Sequence, residues 1–286
     1  NTRIVKLEQN YRSTKIILDA ANKMISHNVN RKEKNLWCEE KEGDKVKFVF
    51  TEDERKEAQF IVNEIERMKR EKSLSLRDFA VLYRTNAQSR PFEEQFRKHN
   101  IRYTVVGAIK FFERKEIKDI LAYLSVIANP SDSISFGRII NTPRRGLGDK
   151  GLLEIENYAK SENISMIEAA LKYKAYQGNL SKQAIKGIND FNNLIEELVK
   201  TKDDVSETVE KLLQMTDYQS IFNSLDEIER ISKLENIQEL VNSVREFSEK
   251  NEDAGVTDYL DMISLYTDID DASDDDDSVL IMTVHN

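Results

Sequence analysis

Three short stretches of the sequence hold side chains whose types and spacing suit a phosphorylated ligand. In LEQNYRST (7–14) an aromatic ring, Tyr11, stands beside a guanidinium, Arg12, directly after an apolar run at 4–7 that reads as a short strand. A ring can stack on a base, and a guanidinium can stabilise charge that develops on a transferred phosphoryl group. The local alternative is a polar loop in which Arg12 pairs with Glu8 and Tyr11 packs on a sheet. In YRTNAQSR (83–90), Arg84 and Asn86 lie just past the apolar run FAVLY (79–83). That is the carboxyl end of an expected parallel strand, where α/β folds place ligands; Asn86 also suits the N-cap of a helix over 87–99. In PRRGLGDKG (143–151), Gly146 and Gly148 let backbone N–H groups approach a phosphate closely, a helix begins next, and Arg144 and Arg145 add charge. The plain alternative there is a glycine turn between helices with solvated arginines. Leu147, between the two glycines, is expected to point inward.

Other chemistries find no residues to carry them. No GxxxxGK[ST] occurs, and nine glycines scattered along the chain make no phosphate-cradling loop of that kind. There is no CxxC or HExxH, and the three histidines, His27, His99 and His285, are far apart in sequence, so no metal site is expected. The single cysteine, Cys38, rules out an intrachain disulfide and suits a reducing compartment. In KFFERKEIKD (110–119), Phe111 and Phe112 are read as packing at a junction in preference to stacking on bases; Lys110, Arg114 and Lys118 either face nucleic acid or form a solvated helix face. The run DDDD (274–277) has no glycine turn and is read as a solvated linker, not a calcium loop.

These residues must be positioned by elements of two kinds. Up to Gly107 the text alternates strand-like runs, KFVF (47–50), FAVLY (79–83) and YTVVG (103–107), with helical stretches. The helix predicted over 14–26 puts Ile17, Ala20, Ala21 and Met24 on one face; that over 53–71 aligns Ala58, Ile61, Ile65 and Met68. Alternation of this kind implies a parallel α/β sheet. From about 114 to 270 helical periodicity takes over, as in EIKDILAYLSVIA, GLLEIENYAKS, IKGINDFNNLIEELVK and LENIQELVNSVREFSEK, and SVLIMTV (278–284) then returns to a strand signal. A lone final strand needs neighbours, so the economical layout is a helical domain inserted into an α/β domain whose last strand rejoins the first sheet.

Charge does not contradict a nucleic-acid partner. The net charge is −9, but residues 251–277 hold eleven acidic side chains and no Lys or Arg, so removing them leaves +2. The window 101–150 carries nine basic against five acidic residues, a local +4, and steering follows the local field. At 286 residues the chain can form one large or two ordinary cores. No apolar run approaches the roughly 18 residues that span a bilayer, so no membrane partner is expected. Asn1 and Asn286 read as cut ends of something longer.

Taken in order, LEQNYRST, AVLYRTNAQSR (80–90), VVGAIKFFERKEIKDILAYL (105–124), INTPRRGLG (140–148) and VLIMTVH (279–285) resemble the C-terminal half of superfamily 1 DNA helicases of the UvrD/Rep/PcrA type, most like the PcrA branch. The likeness is tight over 1–150 and 278–286 and looser between. It implies an α/β fold: a RecA-like parallel sheet domain of the P-loop NTPase kind, without a Walker A motif, interrupted by an all-helical insertion domain. The implied boundaries are 1–110 and 276–286 for the sheet domain and 111–275 for the insertion. The implied activity is ATP-dependent 3′→5′ DNA unwinding, with ATP and Mg²⁺ bound by the full-length parent and neither held tightly by this part alone. Tyr11 is implied to stack on adenine and Arg12 to reach the γ-phosphate as the catalytic arginine. Arg84, Asn86, Thr283 and His285 are implied on the single-stranded DNA track, and Arg144, Arg145, Gly146, Leu147 and Gly148 on the duplex. The implied partners are single-stranded DNA, the single-strand/duplex junction, the parent's N-terminal motor domains and repair or replication proteins, all in the cytoplasm. Two alternatives stand beside this: a protein-docking adaptor of the same fold, and the motor part of a helicase–nuclease.

Overall fold

A computed structural model describes residues 5–28, 34–39, 42–172, 180–267 and 277–284. They divide into two compact units at Asp53 and Glu54, each taken by itself below.

The first unit is built around one helix, α1 (Lys15–Ile25). Asn22 on that helix clamps the segment beside it, its amide donating to Leu36 O (2.7 Å) and its Oδ1 accepting from Leu36 N (3.1 Å). A single parallel bridge joins Gln9 to Trp37. The helix therefore buries Leu18, one turn before Asn22, while Ile17 and Met24 stay exposed. The face expected from Ile17, Ala20, Ala21 and Met24 is thus not the packed one; a polar clamp at Asn22 outweighs periodicity. Two expected strands are also absent from the described residues. Residues 5–7 form no strand, Ile4 lying outside the described residues, and neither does 47–50. Phe48 and Phe50 instead meet edge to face at 4.8 Å, both largely exposed.

The second unit holds a three-stranded parallel sheet of β1 (Ala80–Tyr83), β2 (Tyr103–Val105) and β3 (Val279–Thr283), in the order β1-β3-β2. The last strand in sequence is the central one, paired Tyr83↔Thr283 on one side and Tyr103↔Val279 on the other. A central position demands apolar residues, and Val279 and Ile281 are fully buried. They share a core with Ala58, Val62 and Ile65 of α2 (Glu54–Lys72) and Phe92 and Phe96 of α3 (Ser89–Lys98).

Between β2 and β3 the chain is helical: α4 (Lys115–Ala128), α5 (Ser133–Ile139), α6 (Asp149–Glu162), α7 (Met166–Lys172), α8 (Lys182–Val199), α9 (Val205–Thr216), α10 (Glu227–Lys250) and α11 (Val256–Thr267). Side-chain caps at Asp132, Ser181, Asp204 and Asp226 start α5, α8, α9 and α10. Ile117, Ile120, Leu124 and Ile127 form a helical stripe on α4, and they pack with Phe136, Phe191, Leu198, Leu240 and Tyr259 into a second, separate core. Phe111 and Phe112, both buried, meet edge to face at the entry to this region, as the packing reading expects.

The two cores meet across a polar seam. Arg90 of α3, 1% exposed, donates to Glu239 (2.5 Å) of α10 and to Glu94 (2.8 Å), with Glu246 of α10 at 3.4 Å. Arg55 of α2 pairs with the same Glu246. Arg114, read from sequence as a DNA-facing or solvated side chain, is buried here, donating to Asn236 Oδ1 (2.8 Å), Ser89 Oγ (2.8 Å) and Asn86 O (3.0 Å). Lys233 and Asn236 reach Glu116 at 2.9 and 2.5 Å. Removing one member of such a set strands the others. Arg90→Ala, which leaves three carboxylates facing one another, is expected to cost about 3–5 kcal/mol. Arg245→Ala, which breaks the exposed pair with Glu210, is expected to cost less than about 1 kcal/mol. Urea unfolding of both variants checks this; equal midpoints would refute the importance given to the seam.

Candidate nucleic-acid interface

In the first unit, Tyr11 and Arg12 are both exposed, the ring at 82%. Their presentation is set by Asn10, whose Oδ1 accepts from Arg12 N (2.9 Å) and Ser13 N (2.8 Å) in an Asx turn. Glu8 does not take Arg12: its carboxylate accepts from Asn35 N at 3.1 Å, and its carbonyl from Trp37 N at 3.0 Å. The turn thus presents a ring and a guanidinium side by side to solvent. Asn10, which the sequence reading passed over, is the residue that turns them outward.

In the second unit, Arg84 and Thr283 end neighbouring parallel strands, for Val284 N donates to Tyr83 O (3.0 Å) beyond the Tyr83↔Thr283 pair. Asn86 opens a short 3-10 turn, Asn86–Gln88, directly after. It is not the cap of that turn. Thr85 is, in a reciprocal box with Gln88, whose Oε1 also accepts from Arg84 N at 2.9 Å. Asn86 is half-buried, its carbonyl held by Arg114, while its side-chain Oδ1 has no partner among the described residues. Arg84 lies on a cleft of about 470 Å³ floored by Leu82, Tyr83 and Phe92 and edged by Glu54, Glu57 and Glu239. His285 lies outside the described residues.

The glycine loop at 141–148 is the most fully built of the three places. Its two arginines part company. Arg145 turns inward: Nη1 donates to the carbonyls of Ile139 (3.0 Å), Ile140 (3.2 Å), Thr142 (3.1 Å) and Pro143 (3.4 Å), and Nη2 to Tyr123 Oη (2.7 Å). Its guanidinium lies 5.9 and 5.4 Å from the Tyr123 and Phe191 ring centres. Tyr123 Oη–H in turn donates a hydrogen bond to Thr142 O at 2.5 Å, and burial pushes its pKa up to about 12, so it stays a neutral phenol. Arg144 is exposed. The expectation of two arginines offered outward is corrected here to one outward and one inward, because the carbonyls of a tight loop need a buried donor.

Two further groups hold the loop. Asn141 Oδ1 accepts from Arg145 N (2.7 Å) and Leu147 N (3.3 Å). Leu147 is 3% exposed and points into the helical core. Gly146 has φ +77, which favours glycine, and a side chain there would sit 2.7 Å from Gln183 of α8. Gly187 of α8 lies so close beneath Arg145 that a side chain there would collide with the loop's carbonyl. Gly148, before the first turn of α6, has open space around its Cα. Together the loop and α8 enclose a cleft of about 640 Å³ lined by Arg144, Gly146, Gly148, Gln183, Lys186 and Asp190. Asn141, Tyr123 and Gly187 were missed in the sequence; a lone glycine inside a helical pattern was the available signal for the last.

Among the described residues no group of three or more His, Cys, Asp or Glu is placed to hold a metal ion, and no helix is long and apolar enough to cross a membrane.

The class these features define is a parallel α/β domain with a large helical region between its strands and cationic turns at strand and helix ends. The chain belongs to the UvrD-like helicase C-terminal domain family, whose model matches residues 5–286. It is 43% identical over 289 residues to the ATP-dependent DNA helicase PcrA of Staphylococcus epidermidis and 40% identical over 293 residues to that of Bacillus subtilis, covering 99% and 100% of this chain. The PcrA of Staphylococcus aureus is 42% identical over 284 residues, or 98% of the chain. The chain spans about two-fifths of the length of these relatives, 39% for the first two and 38% for the third.

One glycine of α8 and one of the loop separate packing from access. Gly187→Ala is expected to destabilise by about 1–3 kcal/mol despite the better helix former, because backbone meets backbone. Gly148→Ala is expected to cost no more than about 1 kcal/mol. Chemical denaturation of the two variants tests the difference, and equal losses would mean that α8 does not support the loop as described.

Proposed function

We propose that this chain is the second motor domain, with its inserted helical domain, of an ATP-dependent DNA helicase that moves 3′→5′ on single-stranded DNA. In this reading residues 1–110 and 276–286 form the motor domain and 111–275 the insertion. The observation that carries the duplex-binding part is the 141–148 loop: Arg145 is consumed in holding the carbonyls inward, so Arg144 and the exposed Gly146 and Gly148 are left toward solvent beside the start of α6. Contacts of this kind go to phosphates, take no sequence information and weaken with salt.

Tyr11 would stack on adenine and Arg12 would present its guanidinium to the γ-phosphate, two roles that their shared exposed turn supports. Bound ATP supplies the phosphoanhydride to be hydrolysed, with Mg²⁺ held elsewhere in the parent by its N-terminal motor domains. An arginine brought from a second domain makes turnover depend on closure, which is how chemistry becomes movement. Arg84, Asn86 and Thr283, together near the carboxyl ends of β1 and β3, would contact the single strand with His285, a reading that the pairing of those two strands supports. The single-strand/duplex junction and repair or replication proteins complete the expected partners, in the cytoplasm.

Two tests bear on this. In the full-length parent, Arg12→Ala is expected to lower DNA-stimulated phosphate release by about 10³-fold or more; an unchanged rate would refute the role. In the 286-residue chain, Arg144→Glu is expected to weaken binding to a 3′-tailed duplex by about 10-fold or more at low salt. Anisotropy measures it, and unaltered affinity would remove the duplex from this loop.

A further inference from the structure

The cleft beside the glycine loop has two walls, and the reading above uses one. The other is α8. It stands hard against the loop because Gly187 has no side chain to hold it off, and Gly146 in turn leaves room for Gln183. This close approach sets Lys186, the residue before Gly187, and Gln183, one turn earlier, on the same cleft as Arg144. Both are exposed, as is Arg144. Residues three apart share a helix face, so the ammonium and the amide form one edge. Asp190, one turn further along, also lines the cleft. Its carboxylate, on the same helix face as Lys186, offsets part of the positive charge of that wall. An ammonium suits that place as a point charge, and a neutral amide adds a donor without adding charge.

We propose that α8 supplies a second phosphate contact for duplex DNA, through Lys186 with Gln183 beside it, so that loop and helix grip the backbone from opposite walls of the cleft. The proposal rests on the duplex reading of the loop and adds a partner element to it. Gly187 is then a positioning residue, since it brings the Lys186 wall to the loop.

The test is anisotropy of the 286-residue chain on a labelled blunt duplex across a salt series, with Arg144→Ala, Lys186→Ala and Lys186→Arg. Each lost phosphate contact makes the slope of log K against log salt shallower by about 0.9. Lys186→Ala is expected to weaken binding by about 3–10-fold at low salt and to flatten the slope by about one contact, as Arg144→Ala does; Lys186→Arg is expected to restore both. If Arg144→Ala loses affinity and slope while Lys186→Ala keeps both, the α8 contact is overturned and the loop stands. A loss of affinity in Lys186→Ala with the slope unchanged also overturns it, since the lysine would then act through structure. Wild-type chain without salt-dependent binding, or neither alanine variant altering it, overturns loop and helix together.

Discussion

One buried guanidinium, that of Arg114, holds together the parts on which the second unit depends. A charge taken out of water is costly unless every donor finds an acceptor. Burial pulls this guanidinium below its ordinary range, opposed by the nearby carboxylates of Glu93 and Glu116. Its acceptors come from four places: Ile109 O (3.2 Å) on the approach to the helical region, Asn86 O at the end of β1, Ser89 Oγ at the start of α3, and Asn236 Oδ1 on α10. The Phe111 ring lies 5.1 Å from the charge. The carbonyl of a residue at the strand ends and the side chain of a helix 122 residues further along the sequence are thus fixed by one group. Displacing α10 strips an acceptor from Arg114 and loosens the turn at Asn86 with it. Arg90 repeats the pattern, tying α3 to Glu239 and Glu246 of α10.

The glycine loop follows the same rule on a smaller scale. Four carbonyls converge on Arg145 Nη1 and a fifth acceptor, the Tyr123 hydroxyl, on Nη2. Without that donor the loop's carbonyls would need water, and the loop would not keep one shape. The neighbouring Arg144 is then spared structural work. Adjacent arginines in a sequence look equivalent, but a tight turn sends alternate side chains to opposite sides, and burial decides which one serves the fold.

Periodicity and order made much of this legible in the sequence. The three strands were legible because β-branched runs at FAVLY, YTVVG and SVLIMTV match buried parallel strands, and a lone terminal strand had to rejoin the sheet; β3 lies at its centre. The long helices were legible from their 3–4 spacing, and Leu147 was expected inward and is. What the sequence hid was decided by single hydrogen bonds. The packed face of α1 follows Asn22, not the apolar stripe, since an amide can satisfy both a donor and an acceptor of a passing chain. The cap after β1 fell to Thr85 because Gln88 three residues on closes a box with it. Arg114 read as a surface charge because its acceptors, Asn236 above all, are remote in sequence. Run 47–50 had the composition of a strand, but composition does not supply a partner strand.

An acidic chain can still carry an anion-binding cleft if its charge is sorted by place. Much of the excess of carboxylate falls within 251–277, and the described end of that segment is tied down: Asp277 accepts from Arg77 N at 2.8 Å, and the backbone N–H groups of Arg77 and Leu76 hold its carboxyl below the usual carboxylate range. Further carboxylates, Glu93, Glu94, Glu116, Glu239 and Glu246, are occupied in and around the seam. Beyond about 8–10 Å in physiological salt an exposed charge is largely screened. The 640 Å³ cleft beside the loop is lined by the cations Arg144 and Lys186 as well as the carboxylate Asp190. The inward arginines contribute to this sorting: Arg90 offsets buried carboxylates, and Arg145 satisfies the loop's carbonyls so that Arg144 stays outward.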